Sequence, residues 1–192
     1  MRVVLVRHGE TAWSRAGKHT GRTDVPLLDE GRHQAEHLGV RLRSFSFAAV
    51  WSSPLSRARD TCALAGFADQ AVLDDDLLEW NYGAYEGRRS ADIVAERPGW
   101  NLFMDGCPDG EVFVDVARRV DRVIARVGSV NGDVALFAHG HLLRTLGARW
   151  LQMGPEVAAA LLLSPASVSI LGRDRNAPVV ALWNDARQLE AS

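Results

Sequence analysis

Arg7, His8 and Gly9 stand directly after the apolar run Val3-Val4-Leu5-Val6, and these residue types in this order suit phosphoryl chemistry. An imidazole can attack phosphorus, a guanidinium can hold phosphoryl oxygens, and a glycine lets the backbone turn and come close to a ligand. Further along, Arg57 lies in Ser-Pro-Leu-Ser-Arg-Ala and Arg59 two positions on. The two must face different sides of one helix, one at a site and one at the surface, and spacing does not decide between them. Glu79 sits among Leu77, Leu78 and Trp80, a setting expected to raise its carboxyl and make it a general acid. His139 follows a second apolar run, Val134-Ala135-Leu136-Phe137-Ala138, and is followed by Gly140-His141.

The elements that must position these groups are legible in outline. Both apolar runs read as strands buried on both faces, each ending in a histidine and a glycine. Ligands of open α/β sheets bind at such strand ends. If the two strands are neighbours, His8 and His139 share one pocket. The polar loop 12–28 offers a substrate-contacting rim, with the Thr20 hydroxyl and the Gly21 N–H suited to a phosphate or hydroxyl. Asp29 is expected to cap a helix over 30–43. A strand over 47–51 leads to Ser53 as N-cap and Pro54 at the first position of a helix over 55–65. A strand over 71–73 follows. Helical spacing over 90–104 is interrupted at Pro98-Gly99. The valines 112, 116, 120, 123 and 127 mark an amphipathic helix, its arginines solvated and pairing with Asp115 and Asp121. A helix over 142–151 begins after the second histidine, and its first N–H groups suit an anion. Strands over 168–171 and 179–183 form a terminal hairpin.

Composition narrows the function classes. The chain has 192 residues, 47% hydrophobic, net charge −2 and no basic block, so one domain over 1–192 is expected and nucleic acid is not. Two distant cysteines suggest neither a disulfide framework nor a zinc site. No apolar stretch reaches membrane-spanning length and no leader is evident, so a cytoplasmic protein is expected. His33 and His37 lie one turn apart without a third ligand nearby, and Asp74-Asp75-Asp76 lacks a calcium-loop pattern. Both read as solvated, and no metal or other cofactor is expected.

Arg7-His8-Gly9-Glu10-Thr11, Arg57 in its Ser-Pro context, Glu79 ahead of Tyr82-Gly83-x-x-Glu86-Gly87, and Ala138-His139-Gly140-His141 occur in one order along the chain. In that order and context they resemble the histidine phosphatase (phosphoglycerate mutase-like) superfamily over most of the sequence. The resemblance implies a three-layer α/β/α fold with a mostly parallel central sheet. It implies His8 as nucleophile, Arg7, Arg57 and His139 as phosphate holders, Glu79 as proton donor, and Ser14, Thr20, Gly21, Tyr82 and Gly140 as substrate contacts. Two positive neighbours are expected to keep His8 neutral. Ser14 stands where the mutases usually have asparagine, and the span from Glu79 to His139 lacks their insertion. The segments around Trp13, Trp80, Trp100-Asn101, Asp105-Gly106-Cys107 and His139-Gly140-His141-x-Leu143-Arg144 resemble the sedoheptulose-bisphosphatase branch and related acid phosphatases. The activity implied is hydrolysis of a small phosphorylated metabolite, a sugar phosphate or bisphosphate, through phosphohistidine. A cofactor-dependent phosphoglycerate mutase is the alternative, and a non-catalytic phosphate-binding module a weaker one. A homodimer stays open.

Overall fold

The structure, a computed structural model, describes residues 1–187. Its centre is a six-stranded sheet in the order β3-β2-β4-β1-β5-β6. β1 is Val3–Arg7, β2 Phe47–Ser52, β3 Ala71–Leu73, β4 Asp133–Ala138, β5 Val168–Asp174 and β6 Ala177–Asp185. The first four in sequence run parallel, while β5 and β6 are antiparallel to their neighbours. β1 and β4 are adjacent, with Val3 opposite Val134 and Arg7 opposite Ala138. The expectation of a mostly parallel sheet holds.

Alternation along the two central strands builds the layers. Val3, Leu5, Val134 and Leu136 point to one face, packing with α6 (Phe113–Gly128) and α7 (Gly140–Trp150). Val4, Val6, Ala135 and Phe137 point to the other, packing with Leu38 and Leu42 of α2 (Asp29–Leu42) and Cys62 of α3 (Ser56–Cys62). Each buried aliphatic side chain contributes about 1.5–3 kcal/mol, which outweighs any local preference of the residues that follow. The strand ends are therefore fixed, and the polar residues after them must face the rim. Three short helices complete the set around that rim: α1 (Ala12–Arg15), α4 (Ser90–Glu96) and α5 (Leu102–Asp105), with α8 (Pro155–Ala160) behind α7.

Several local expectations need correction. Helix α2 begins at Asp29 itself, with Leu28 at the cap position and no side-chain cap. Asp29 and Glu30 instead lie in the first turn, where acidic charge meets the positive helix end. The helix predicted over 55–65 starts at Ser56 and ends at Cys62, passing into a π turn over Ala63–Phe67 with Gly66 at φ 92°. Arg118 pairs with Asp115 at the surface as expected, but Arg122 and Arg126 reach Asp76, Arg126 also reaches Asp74, and Asp121 pairs with Arg149. The acidic triplet is thus tied to α6 and is not a free solvated loop. The terminal hairpin is tighter than expected, since Arg175 and Asn176 both take positive φ and close β5 to β6 in two residues. No helix among the described residues is long and apolar enough to cross a membrane.

Candidate active site

Adjacent strand ends place the His8 and His139 rings with centroids 5.2 Å apart. The turn after His8 admits only glycine, because a Cβ at Gly9 would stand 2.2 Å from the Gly31 carbonyl oxygen at the start of α2. Its N–H donates to the Thr61 hydroxyl at 3.0 Å, and that hydroxyl donates to the Arg57 carbonyl at 2.7 Å. The His8 Nδ1 lies 2.7 Å from the Gly9 carbonyl oxygen, which can only accept. The ring proton therefore sits on Nδ1, and Nε2 keeps its lone pair for the cavity. Burial first, then the charges of Arg57 and Arg7, hold the imidazole well below its ordinary range. The expected effect of the cations is present but secondary.

Arg57 is the buried member of its pair and Arg59 the exposed one. Its Nε donates to His139 Nδ1 at 3.2 Å, Nη1 to the Thr23 carbonyl at 3.0 Å, and Nη2 to the carbonyls of Thr20 and Gly21 at 3.1 and 2.9 Å. His139 Nε2 is left to donate to Ser53 Oγ at 2.8 Å. Ser53, expected as a helix cap, thus fixes a histidine tautomer, and only a weak 3.4 Å contact runs from Leu55 N to its hydroxyl. The start of α3 is capped from a distance by Asp24, which accepts from the N–H and hydroxyl of Ser56 at 2.9 and 2.8 Å. Nothing in the local sequence around Ser53 could reveal a cap supplied 32 residues earlier.

Glu79 is 4% exposed, but its surroundings are not simply apolar. Its oxygens accept from the N–H groups of Trp80, His141 and Leu142 at 2.9, 3.0 and 2.9 Å. The anion at the start of α7 is therefore this carboxylate. Arg119, expected at the surface, is 12% exposed and holds the segment before Glu79 through the carbonyls of Asp76 and Leu78, both at 2.9 Å, while pairing with Glu111.

A cavity of about 180 Å³ opens where these elements meet, and Arg7, His8, Ser14, Thr20, Glu79, Tyr82 and Gly140 line it. Arg57 and His139 lie behind its wall, fully buried, and touch it only through their partners. Arg7 packs against Gly140, donates through Nη1 to the Leu163 carbonyl, and keeps a buried Nε with no partner among the described residues. The Ser14 hydroxyl is exchanged with Thr11 in a capping box. Gly21 does not offer its N–H to the cavity, since that group donates to Glu86 at 2.8 Å.

The lining also contains His19, Ser90, His141 and Arg144, which continue into a second chamber of about 190 Å³ with Trp100, Asn101 and Phe103. His141 and Arg144 stood in a recognised motif, but His19 carried no signal, being one loop residue between Lys18 and Thr20. Burial lowers His19 to about 4. The Tyr82 hydroxyl lies 2.5 Å from His141 Nδ1, and burial raises the phenol while lowering the imidazole. Arg144 lies 4.5 Å over the Phe103 ring and donates Nε and Nη2 to the carbonyls of Ala158 and Ala159. No cluster of three or more His, Cys, Asp or Glu suited to a metal occurs among the described residues.

The model of the histidine phosphatase superfamily, branch 1, matches residues 3–186. The chain is a phosphatase of that superfamily. It is similar to an acid phosphatase of Mycobacterium tuberculosis, at 39% identity over 89% of this chain and 86% of that one. It is also similar to the sedoheptulose 1,7-bisphosphatase of Saccharomyces cerevisiae, at 36% identity over 81% of this chain and 69% of the yeast enzyme. A solved M. tuberculosis open reading frame superposes with a TM-score of 0.91 at 36% identity, covering 96% of this chain and 97% of the other. Fold and family thus agree with the order of motifs along this histidine phosphatase.

Proposed function

We propose that this chain hydrolyses a phosphorylated sugar or polyol in two in-line steps at His8. The observation that carries the reading is the His8–Gly9 contact, which leaves Nε2 unprotonated and facing a cavity that also holds Glu79. In the first step Nε2 forms a bond to phosphorus while the P–O bond to the alcohol breaks, and a protonated Glu79 supplies the proton that the alkoxide needs. In the second step Glu79, as carboxylate, takes a proton from water, whose oxygen displaces the imidazole and releases phosphate. Arg7 binds the equatorial oxygens directly, with Arg57 and His139 behind it, so positive charge faces the phosphoryl group throughout. The N–H groups of Trp80, His141 and Leu142 hold the carboxylate in which Glu79 activates water.

The second chamber suits the remainder of the alcohol. Asn101, Ser90 and His141 can bond hydroxyl groups, and Arg144 keeps Nη1 without a partner among the described residues. A site built of such groups selects substrates that satisfy them. The likeness to a sugar bisphosphatase supports the same class. Two buried free thiols, Cys62 and Cys107, fit a cytoplasmic setting.

The test is His8→Ala assayed with p-nitrophenyl phosphate and with sugar phosphates. Turnover should vanish, and acid-sensitive, base-stable phosphoenzyme should be trapped from wild type alone. Activity of the variant within about tenfold of wild type would end the assignment. Production of 2-phosphoglycerate from 3-phosphoglycerate plus its bisphosphate, faster than phosphate release, would favour the mutase alternative.

A further inference from the structure

Glu86 has no place in the chemistry above, yet its contacts converge on the phosphate pocket. Its Oε1 accepts from the N–H groups of both Gly21 and Thr23, at 2.8 and 3.1 Å. The carbonyls of the same short stretch, those of Thr20, Gly21 and Thr23, turn the other way and accept from Arg57. The stretch is thus gripped on both sides, N–H groups by a carboxylate and carbonyls by a guanidinium. A third tie holds its beginning, where His19 exchanges backbone hydrogen bonds with Gly87 and Arg88 at 2.9 and 2.8 Å. There is no room for a side chain between the grips, because a Cβ at Gly21 would lie 2.5 Å from both Glu86 Oε2 and the Trp80 carbonyl oxygen.

Arg57 is orientated by this stretch. Its four hydrogen bonds among the described residues go to His139 and the three carbonyls, and none goes to a carboxylate. Without Glu86, the N–H groups of Gly21 and Thr23 would turn to water and the carbonyls facing Arg57 would lose their fixed direction. The guanidinium would then sample other rotamers, and its bond to His139 Nδ1 would loosen with it.

We infer that Glu86 is a positioning residue for oxyanion binding, acting through the 20–23 loop on Arg57 and His139. The inference rests on the reading of the cavity as a phosphate site. It concerns geometry, not charge, and the two can be separated. Both accepted bonds fall on one oxygen, so Glu86→Gln retains them while removing the charge, and Glu86→Ala removes both.

The probe is orthovanadate inhibition of p-nitrophenyl phosphate hydrolysis, backed by product inhibition with inorganic phosphate. An inhibition constant does not depend on the fraction of protein that is folded, so a loss of fold cannot mimic the effect. Glu86→Ala should raise both inhibition constants about tenfold, because a guanidinium that leaves its fixed place behind the pocket no longer holds its charge towards the anion. Glu86→Gln should stay within about threefold of wild type. Equal weakening in both variants would mean that the charge alone matters, and unchanged constants in Glu86→Ala would mean that the loop needs no such hold; either overturns the inference. Wild-type protein that neither hydrolyses the ester nor binds vanadate would instead remove the phosphate-site reading, and this inference with it.

Discussion

Burial of the His8 imidazole decides how the proposed nucleophile behaves in acid. Because its basicity is held well below the ordinary value, turnover should show no inflection near pH 6.5, where a solvated histidine titrates. A kcat profile that breaks there would mean that His8 is hydrated in the working enzyme. Glu79 answers a different question, because an alkoxide needs a proton and p-nitrophenolate does not. Glu79→Gln should therefore slow a sugar phosphate by about 100-fold or more and p-nitrophenyl phosphate far less. Equal losses would take the proton-donor role from Glu79. At this scale the sequence pointed to Arg7, His8 and Glu79, which the fold brings to one cavity, because their types are chemically rare in such settings. It did not show that Ser53 serves His139, that Gly21 gives its N–H to Glu86, or that His19 lines the cavity. Each of those contacts joins residues far apart in the chain, where local pattern carries no information.

Among the elements, α6 does more than cover the sheet. Arg119 reaches across to the carbonyls of Asp76 and Leu78 and pairs with Glu111, which accepts in turn from the Asn81 N–H at 2.7 Å. The segment carrying Glu79 is thus hung between a helix and a loop. Arg119→Met should cost about 2–4 kcal/mol, since Glu111 and two carbonyls lose a partly buried partner. It should also lower kcat more than it raises KM, because Glu79 acts only when it is in place. Urea unfolding and steady-state kinetics check the two parts, and a variant as stable as wild type would return Arg119 to the surface role expected from periodicity. Helix periodicity reported correctly that Val116, Val120 and Val123 are core. It could not report the reach of an arginine at the edge of that stripe. The helix start after His139 was equally visible, but its anion proved to be a side chain of the protein itself.

For the molecule as a whole, buried histidines set the pH dependence of stability. His8, His19, His139 and His141 are all lowered mainly by burial, His19 to about 4. Below about pH 6.5 the unfolded chain binds protons at these positions and the folded one does not, so stability rises with pH in this window. It should be at its plateau above pH 7 and fall as the pH drops towards about 4, by up to about 1.4 kcal/mol per pH unit for each histidine. Thermal unfolding between pH 7.5 and pH 5 measures this, and a Tm independent of pH across that range would contradict it. The layer architecture was legible because both central strands are apolar on each face. Strand order was not, since adjacency of β1 and β4 is a property of the sheet and not of either strand.

That order has a consequence for how the chain is made. β4 fits between β1 and β2, yet it is synthesised long after both of them. Until it emerges from the ribosome, the strand that leads to His8 has neither of its neighbours, since β5 is later still, and both of its edges, rich in valine and leucine, are unpaired. Such edges invite pairing with other chains, and contacts this distant form slowly. The nascent protein is thus most exposed to aggregation during the stretch of translation between β3 and β4, and catalysis cannot begin until the chain has closed that gap.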